Sequence, residues 1–180
     1  MDQNQHPQRP GRAAQTRPQN ARIGQPVTGT CQRGDDTFVT VFMQDTDGDP
    51  VGHCVGISHL AAGRDMARKI VECGYRKIGF IGTKMPQDFR AMKRLQGFSE
   101  GLAEAGLSLE DSEQYAGDSS IQNGRSLTQK ILARSPDLDC LYYSSDVMSV
   151  GGYMHCLAEG LSVPEDIALA GFNNLEILDG

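Results

Sequence analysis

From Thr37 onward, apolar and polar positions alternate between two periods, and together they predict strands and helices in turn. Phe38-Val39-Thr40-Val41-Phe42 reads as a strand, followed by an acidic turn from Asp45 to Pro50. Val51 to Ile57 reads as a second short extended run. The spacing of Met66, Ile70 and Cys73 then predicts a helix from about Leu60 to Cys73, closed by Gly74. Arg76 to Gly82 is a short apolar strand. Phe89 to Ala105 is a helix with Met92, Leu95, Phe98, Leu102 and Ala105 on one face and Gly106 as its stop. A weak strand at Ser112 to Ala116 precedes a helix from Ile121 to Ala133. Asp139 to Tyr143 is a buried strand, Asp146 to Glu159 a helix stopped by Gly160, and Asp166 to Phe172 the final strand. Strands separated by helical patterns mean βαβ units, so the expected fold is α/β: an open parallel sheet with helices on both faces.

Residues 1–36 lack both periods. They are rich in Gln, Asn, Pro, Arg and Gly, and Pro7, Pro10, Pro18 and Pro26 interrupt any helix. Such a segment buries too little apolar surface to offset its ordering entropy, so a disordered tail is expected there. The domain reading is therefore a tail over 1–36, two strands over 37–57 and the main α/β unit over 58–180.

Charge sharpens this division. The chain carries a net −6, yet Arg9, Arg12, Arg17, Arg22 and Arg33 against Asp2 and Asp35 give residues 1–35 a balance of +3. The remainder holds −9, and the net −6 argues against nucleic-acid binding by the chain as a whole. The arginines of the tail could touch phosphates non-specifically, or simply be solvated. Five scattered cysteines form no CxxC pair, so neither a zinc site nor a redox dithiol is indicated, and free thiols in a reducing compartment are expected. No apolar run approaches the roughly 20 residues of a membrane span, and no signal-peptide core is present at the N-terminus. A cytoplasmic location is the resulting expectation.

Ligands of open parallel sheets bind beyond the carboxyl ends of the strands. The residues just past each strand are polar: Thr83, Lys84, Asp88, Arg90 and Arg94 after the first of the α/β unit, then Gly117-Asp118-Ser119, then Ser144-Ser145-Asp146, then Asn173-Asn174 with Glu176 nearby. Arginines, carboxylates, hydroxyls and amides in one place suit a polyhydroxylated or anionic small molecule. Each group also has a plainer use. Ser145 and Asp146 fit helix capping, Arg90 a solvated helix face, Arg94 an ion pair with Asp118 or Asp146, and Asn173-Asn174 a turn.

Catalytic patterns are lacking. His53 and His59 lie near Cys54 without nucleophile or metal spacing, and neither GxGxxG nor GxxxxGK[ST] occurs. No enzyme activity, metal or cofactor is implied.

The motifs carry a resemblance. Ala61-Ala62-Gly63 with its helix, and Cys73-Gly74-Tyr75-Arg76-Lys77-Ile78-Gly79-Phe80-Ile81-Gly82, resemble the "AG…L…GHRRIAFIG" wording of LacI/GalR repressors. Arg94-Leu95-Gln96-Gly97-Phe98 is similar to their "RLxGF", and Ser145-Asp146-Val147-Met148-Ser149-Val150-Gly151 to their "NDxxAxG". The run from Val163 to Asn174 is similar to their "VPEDIAIxGFDD", and the stretch Phe172 to Ile177 leans toward the gluconate-utilisation branch. The resemblance covers roughly Phe38 to Gly180 and implies a periplasmic-binding-protein-like effector region, incomplete at both ends. On that reading 37–57 is a remnant of the N-terminal subdomain and 58–180 the C-terminal one. It further implies a sugar or sugar-acid effector contacted by Arg94, Asn173, Ser145, Arg90, Asp118 and Asp146. Asn173 stands where many members have Asp, which favours an anionic, gluconate-like effector. Operator DNA would be read only through a helix-turn-helix domain that residues 1–35 do not resemble, and a homodimer is implied for the parent. A truncated or frameshifted gene product is expected. The rival readings are a periplasmic-type sugar-binding protein of the same fold, a Rossmann-type enzyme, and a fragment without function.

Overall fold

A computed structural model describes residues 42–43, 54–83 and 88–175. The predicted tail over 1–36, the start of the first strand, and Lys84 and Glu176 lie outside the described residues. Two parallel strands, β1 (Phe42–Met43) and β2 (Cys54–Val55), pair as a small sheet. The predicted run to Ile57 is cut short because Ser58 already caps the next helix, its side chain accepting a 2.9 Å hydrogen bond from Ala61 N.

The main unit follows the predicted alternation: α1 (His59–Glu72), β3 (Ile78–Thr83), α2 (Phe89–Glu104), β4 (Asp111–Tyr115), α3 (Ile121–Arg134), β5 (Cys140–Tyr143), α4 (Asp146–Ala158) and β6 (Ala168–Ala170). Asp88 caps α2 and Ser120 caps α3 through their side chains. Gly74, Gly106 and Gly160 follow three of the helices at φ of 91°, 69° and 70°, the left-handed conformation that lets a chain leave a helix. The last strand is shorter than its apolar run. Asp166 turns instead to accept a 2.8 Å bond from Ser162 N, and Gly171-Phe172 leave the sheet.

The four strands run parallel in the order β4-β3-β5-β6. Alternate residues of the strands face opposite helix pairs. Ile78, Phe80, Cys140, Tyr142 and Ala168 pack with Met66, Ile70, Phe98 and Leu102 of α1 and α2. Ile81, Leu141 and Tyr143 pack with Ile131, Met148 and Cys156 of α3 and α4. Every residue of β5 is buried, as expected of a parallel strand covered on both faces. Cys140 and Cys156 are buried free thiols, and burial pushes Cys156 up to about 11, leaving it unreactive at neutral pH. Met92, predicted to face inward, is 49% exposed, beside a shallow, mostly apolar cavity of about 300 Å³ between α2 and β4.

Within each helix pair the backbones meet through glycines. A Cβ on Gly63 of α1 would strike the Arg94 carbonyl of α2, and one on Gly97 would strike the Leu60 carbonyl of α1. Gly124 and Gly151 do the same between α3 and α4, against Met148 and Ile121. Close approach of this kind fixes how far along one helix each residue of the other lies.

The weakly patterned β4 is an edge strand, and α3 clasps it. Arg134 bonds both oxygens of Asp111, at 2.6 and 2.9 Å, and also reaches Glu113. Lys130 approaches Glu113 at 2.8 Å and Ser135 donates to Asp111 at 2.6 Å. Charged partners along an open strand also discourage pairing with another chain. Arg134 lowers the Asp111 carboxyl from its usual 3.8 to about 2, and Lys130, with Arg134, lowers Glu113 as well. A folded-state depression stabilises the fold above the ordinary carboxylate range and is lost as the pH falls through the lowered value. Urea titrations should therefore show stability falling between about pH 4 and pH 2, with a shallower fall in Arg134→Gln. An equal pH dependence in the variant would show the clasp to be without effect.

Candidate functional site

The carboxyl ends of β5 and β6 and the first turns of α1, α2 and α4 converge on Arg94. It lies on the inward side of α2 and is 7% exposed. Its position follows from the glycine contacts, which set α2 against the start of α1. Nη1 lies 3.2 Å from His59 Nδ1 and Nη2 donates to the Ser144 carbonyl at 3.2 Å. The guanidinium carbon sits 4.2 Å from the centre of the Phe172 ring, a cation–π arrangement in a largely dry setting. Burial lowers the Arg94 pKa, while Tyr142 and Asp88 favour the charge and Arg90 opposes it. An arginine so placed stays a cation at neutral pH.

Tyr142 lies on the inner side of this cluster, 1% exposed and tilted by 31° against Phe98 with ring centres 4.5 Å apart. Burial pushes its hydroxyl up to about 12, against the pull of the Arg94 charge, so it remains a phenol. Tyr142 feels the guanidinium without reaching hydrogen-bond geometry, and its oxygen and Arg94 Nε both lack a partner among the described residues.

Asp146 opens α4 and is 2% exposed. One carboxylate oxygen accepts a 2.9 Å bond from Leu175 N, and its own N–H donates to the Phe172 carbonyl at 3.0 Å. The other oxygen abuts Gly171 so closely that a Cβ there would strike it. This aspartate fixes the chain leaving β6, and with it the Phe172 ring. Ser145 stands at the N-cap position of α4, but its side chain makes no capping bond and its hydroxyl, buried, has no partner among the described residues. The capping alternative for Ser145 is thus corrected: its Oγ is turned away from the helix amides.

Asn173 and Asn174 follow Phe172 at φ of 114° and 56°, both exposed. Asparagine tolerates this region better than most residues, so the pair makes the turn directly after the ring that Arg94 covers. Arg90 is exposed one turn before Arg94, within reach of its charge. Asp118 is exposed past the end of β4, where its carbonyl accepts a 3.2 Å bond from Asn123. The strand order sets it two positions from β5. The alternative ion pairs of Arg94 with Asp118 or Asp146 are not formed among the described residues. Arg94, Ser145, Asp146 and Asn173 are brought together, Arg90 lies at their rim, and Asp118 belongs to a more distant tip.

Sequence reasoning missed His59, Phe172 and Tyr142. Along the chain His59 lies near His53 and Cys54, and nothing local points to Arg94. The only sequence signal linking residues 59 and 94 is the pair of glycines, Gly63 and Gly97, within otherwise amphipathic helices. The apolar cavity beside Met92 does not include Arg94. Its lining offers little to orient a hydroxylated ligand, so the strand-tip cluster is the better candidate site. No group of three His, Cys, Asp or Glu fit to hold a metal occurs among the described residues. No helix among them is long and apolar enough to cross a membrane.

Comparisons with known proteins agree with this architecture. The HTH-type transcriptional regulator GntR of Pseudomonas aeruginosa is 34% identical over 136 residues, covering 75% of this chain and 39% of that protein. The HTH-type transcriptional regulator CelR of Thermobifida fusca is 32% identical over 126 residues, covering 69% and 36%. The chain thus spans about two fifths of the length of the curated relatives it matches. A LacI-family transcriptional regulator from Silicibacter pomeroyi superposes with a TM-score of 0.74 at 54% identity, covering 78% of this chain and 42% of that one. The regulator GntR from Chromobacterium violaceum superposes at 0.66 with 34% identity, over 76% and 49%. Residues 67–180 match the periplasmic binding protein-like domain family. The chain belongs to that family, and its relatives there are transcriptional regulators of the LacI/GalR type.

Proposed function

We propose that this chain is effector-binding region of a LacI-type transcriptional repressor, taking a sugar acid of the gluconate kind at the tips of β5 and β6. The observation that carries the reading is the buried guanidinium of Arg94, held over the ring of Phe172, the residue before Asn173. Two of its five N–H donors go to His59 and Ser144, and Nε–H has no partner among the described residues. A planar fork of that kind matches a carboxylate or vicinal hydroxyls. The neighbouring amides of Asn173 and Asn174 add donors without adding a negative charge that would repel an acid. Ser145 supplies an uncommitted hydroxyl in the same place. Asp146 acts by holding the Phe172 loop, and Arg90 raises the positive potential at the rim.

In this function no bond is made or broken. Effector binding favours one arrangement of the regulator over another and so changes its affinity for operator DNA. DNA contact belongs to a helix-turn-helix domain of the kind named in the relatives, since the α/β unit is acidic, and the assembled regulator is a homodimer.

Calorimetric titration with D-gluconate and related sugar acids tests the site. Arg94→Lys keeps the charge but loses the fork, and should weaken binding about tenfold, roughly 1.4 kcal/mol. Unchanged affinity in that variant would remove Arg94 from the site.

A further inference from the structure

His59 opens α1 directly after the Ser58 cap and is 7% exposed. Its Nδ1 lies 3.2 Å from Nη1 of Arg94. A guanidinium has donors only, so Nδ1 must be the acceptor and the neutral ring carries its proton on Nε2. The same ring lies 6.3 Å from that of Phe172, tilted by 54°. Arg94 is therefore held from three elements at once: by His59 of α1, by the Ser144 carbonyl after β5, and by Phe172 after β6. Of these three supports, His59 alone changes its hydrogen-bonding character with pH.

We infer that His59 is a positioning residue for Arg94: as a neutral acceptor it aims the guanidinium across the strand tips, and on protonation it releases it. An Nδ1 that gains a proton sets donor against donor and cation beside cation in a site with little water to screen them. Among the described residues, the charged and titratable groups named around Arg94 do not provide it with an equivalent acceptor. On α2, Asp88 favours the Arg94 charge but also caps the helix through Ala91 N, and Arg90 opposes that charge. On β5, Tyr142 remains a phenol outside hydrogen-bond geometry with Arg94. On α4, Asp146 is engaged by Leu175, and on α1 itself Arg64 turns to Glu100 and Glu104. The inference deepens the effector-site reading and rests on Arg94 for its functional meaning, but the coupling of the two side chains exists without any effector.

The test uses the ¹⁵N-labelled full chain without ligand. Long-range imidazole spectra should show the Nε2-protonated tautomer for His59 at about pH 8. The Arg94 Nε–H cross-peak should move and broaden on acidification toward about pH 5, with the midpoint of the His59 titration. In His59→Asn, whose amide oxygen can accept the same bond but does not titrate, the Arg94 signal should hold its high-pH position throughout. His59→Ala should lose that position at every pH. A proton on Nδ1 at high pH, or an Arg94 response that persists in His59→Asn, would overturn the inference. Titration with D-gluconate then separates the two readings. Affinity that falls on acidification in the parent chain and stays level in His59→Asn supports both. Absence of gluconate binding alongside the spectral coupling would discard the gluconate reading and leave the positioning role standing.

Discussion

Gly97→Ala should destabilise the fold by about 2 kcal/mol, lowering the thermal midpoint by roughly 5 °C. Two effects of opposite sign compete at this position. Glycine in a helix interior is about 1 kcal/mol worse than alanine, so an unhindered replacement would stabilise α2. Here, however, the new methyl would meet the main-chain carbonyl of Leu60, and backbone cannot swing aside as a flexible side chain does. Relief requires α1 and α2 to separate, opening the layer that buries Met66, Ala67, Phe98 and Leu102 against the sheet. Overpacking of a close-packed core costs 1–3 kcal/mol and occasionally more, so it outweighs the propensity gain. The damage also reaches the site, because His59 precedes Leu60 and Gly63 meets Arg94 in the same crossing. Denaturant unfolding would register the loss as a lower midpoint with an unchanged slope. A variant as stable as the parent, or more so, would mean that the helices have room to part.

Much of the main unit is legible in the sequence because its elements obey simple periodicities. Three of the helices begin directly after a capping Ser58, Asp88 or Ser120, and three are followed by Gly74, Gly106 or Gly160, where the chain needs a positive φ. Strands β3 and β5 announce themselves as apolar runs because a parallel strand is covered on both faces. β4 is weakly patterned for a physical reason: as an edge strand it carries Asp111 and Glu113, which meet Arg134 and Lys130 of the next helix. Met92 departs from its predicted face because periodicity gives direction around a helix but does not say where the neighbouring layer ends.

The site is only half legible. That polar residues gather beyond the strand tips follows from the topology of parallel sheets, and this makes Arg94, Ser145, Asp146 and Asn173 candidates. What each does depends on packing distances that no local pattern encodes. The approach of His59 to Arg94 is created by two glycines 34 positions apart meeting the opposite backbones, a relation between helices. Phe172 reads as one more apolar residue of a strand motif until the chain turns out of the sheet at Gly171 and lays the ring under a cation.

Asp146→Ala carries the second large expectation, about 2–3 kcal/mol of stability together with a loosened site. The carboxylate is almost wholly buried and holds two things at once: the Leu175 amide by a hydrogen bond and the Gly171 backbone by contact. Removing it leaves a void beside Gly171 and a donor that must find water, and a bond to a charged acceptor is worth roughly 1.5–3 kcal/mol. The main-chain link from Asp146 N to the Phe172 carbonyl survives, so β6 itself should persist. The turn through Asn173 and Asn174, with two positive φ angles in sequence, depends on that external hold. Its loss frees the Phe172 ring from beneath the guanidinium, and Arg94 then keeps only His59 and Ser144. Hydrogen exchange should accordingly quicken at the amides of 172–175 while those of β3 and β5 stay protected. Asp146→Asn separates the two roles of the group: its amide oxygen can still accept from Leu175, so this variant should retain most of the stability. If exchange at 172–175 is unaltered in Asp146→Ala, the loop is held by something other than Asp146. In that case the carboxylate returns to consideration as a direct ligand of the effector.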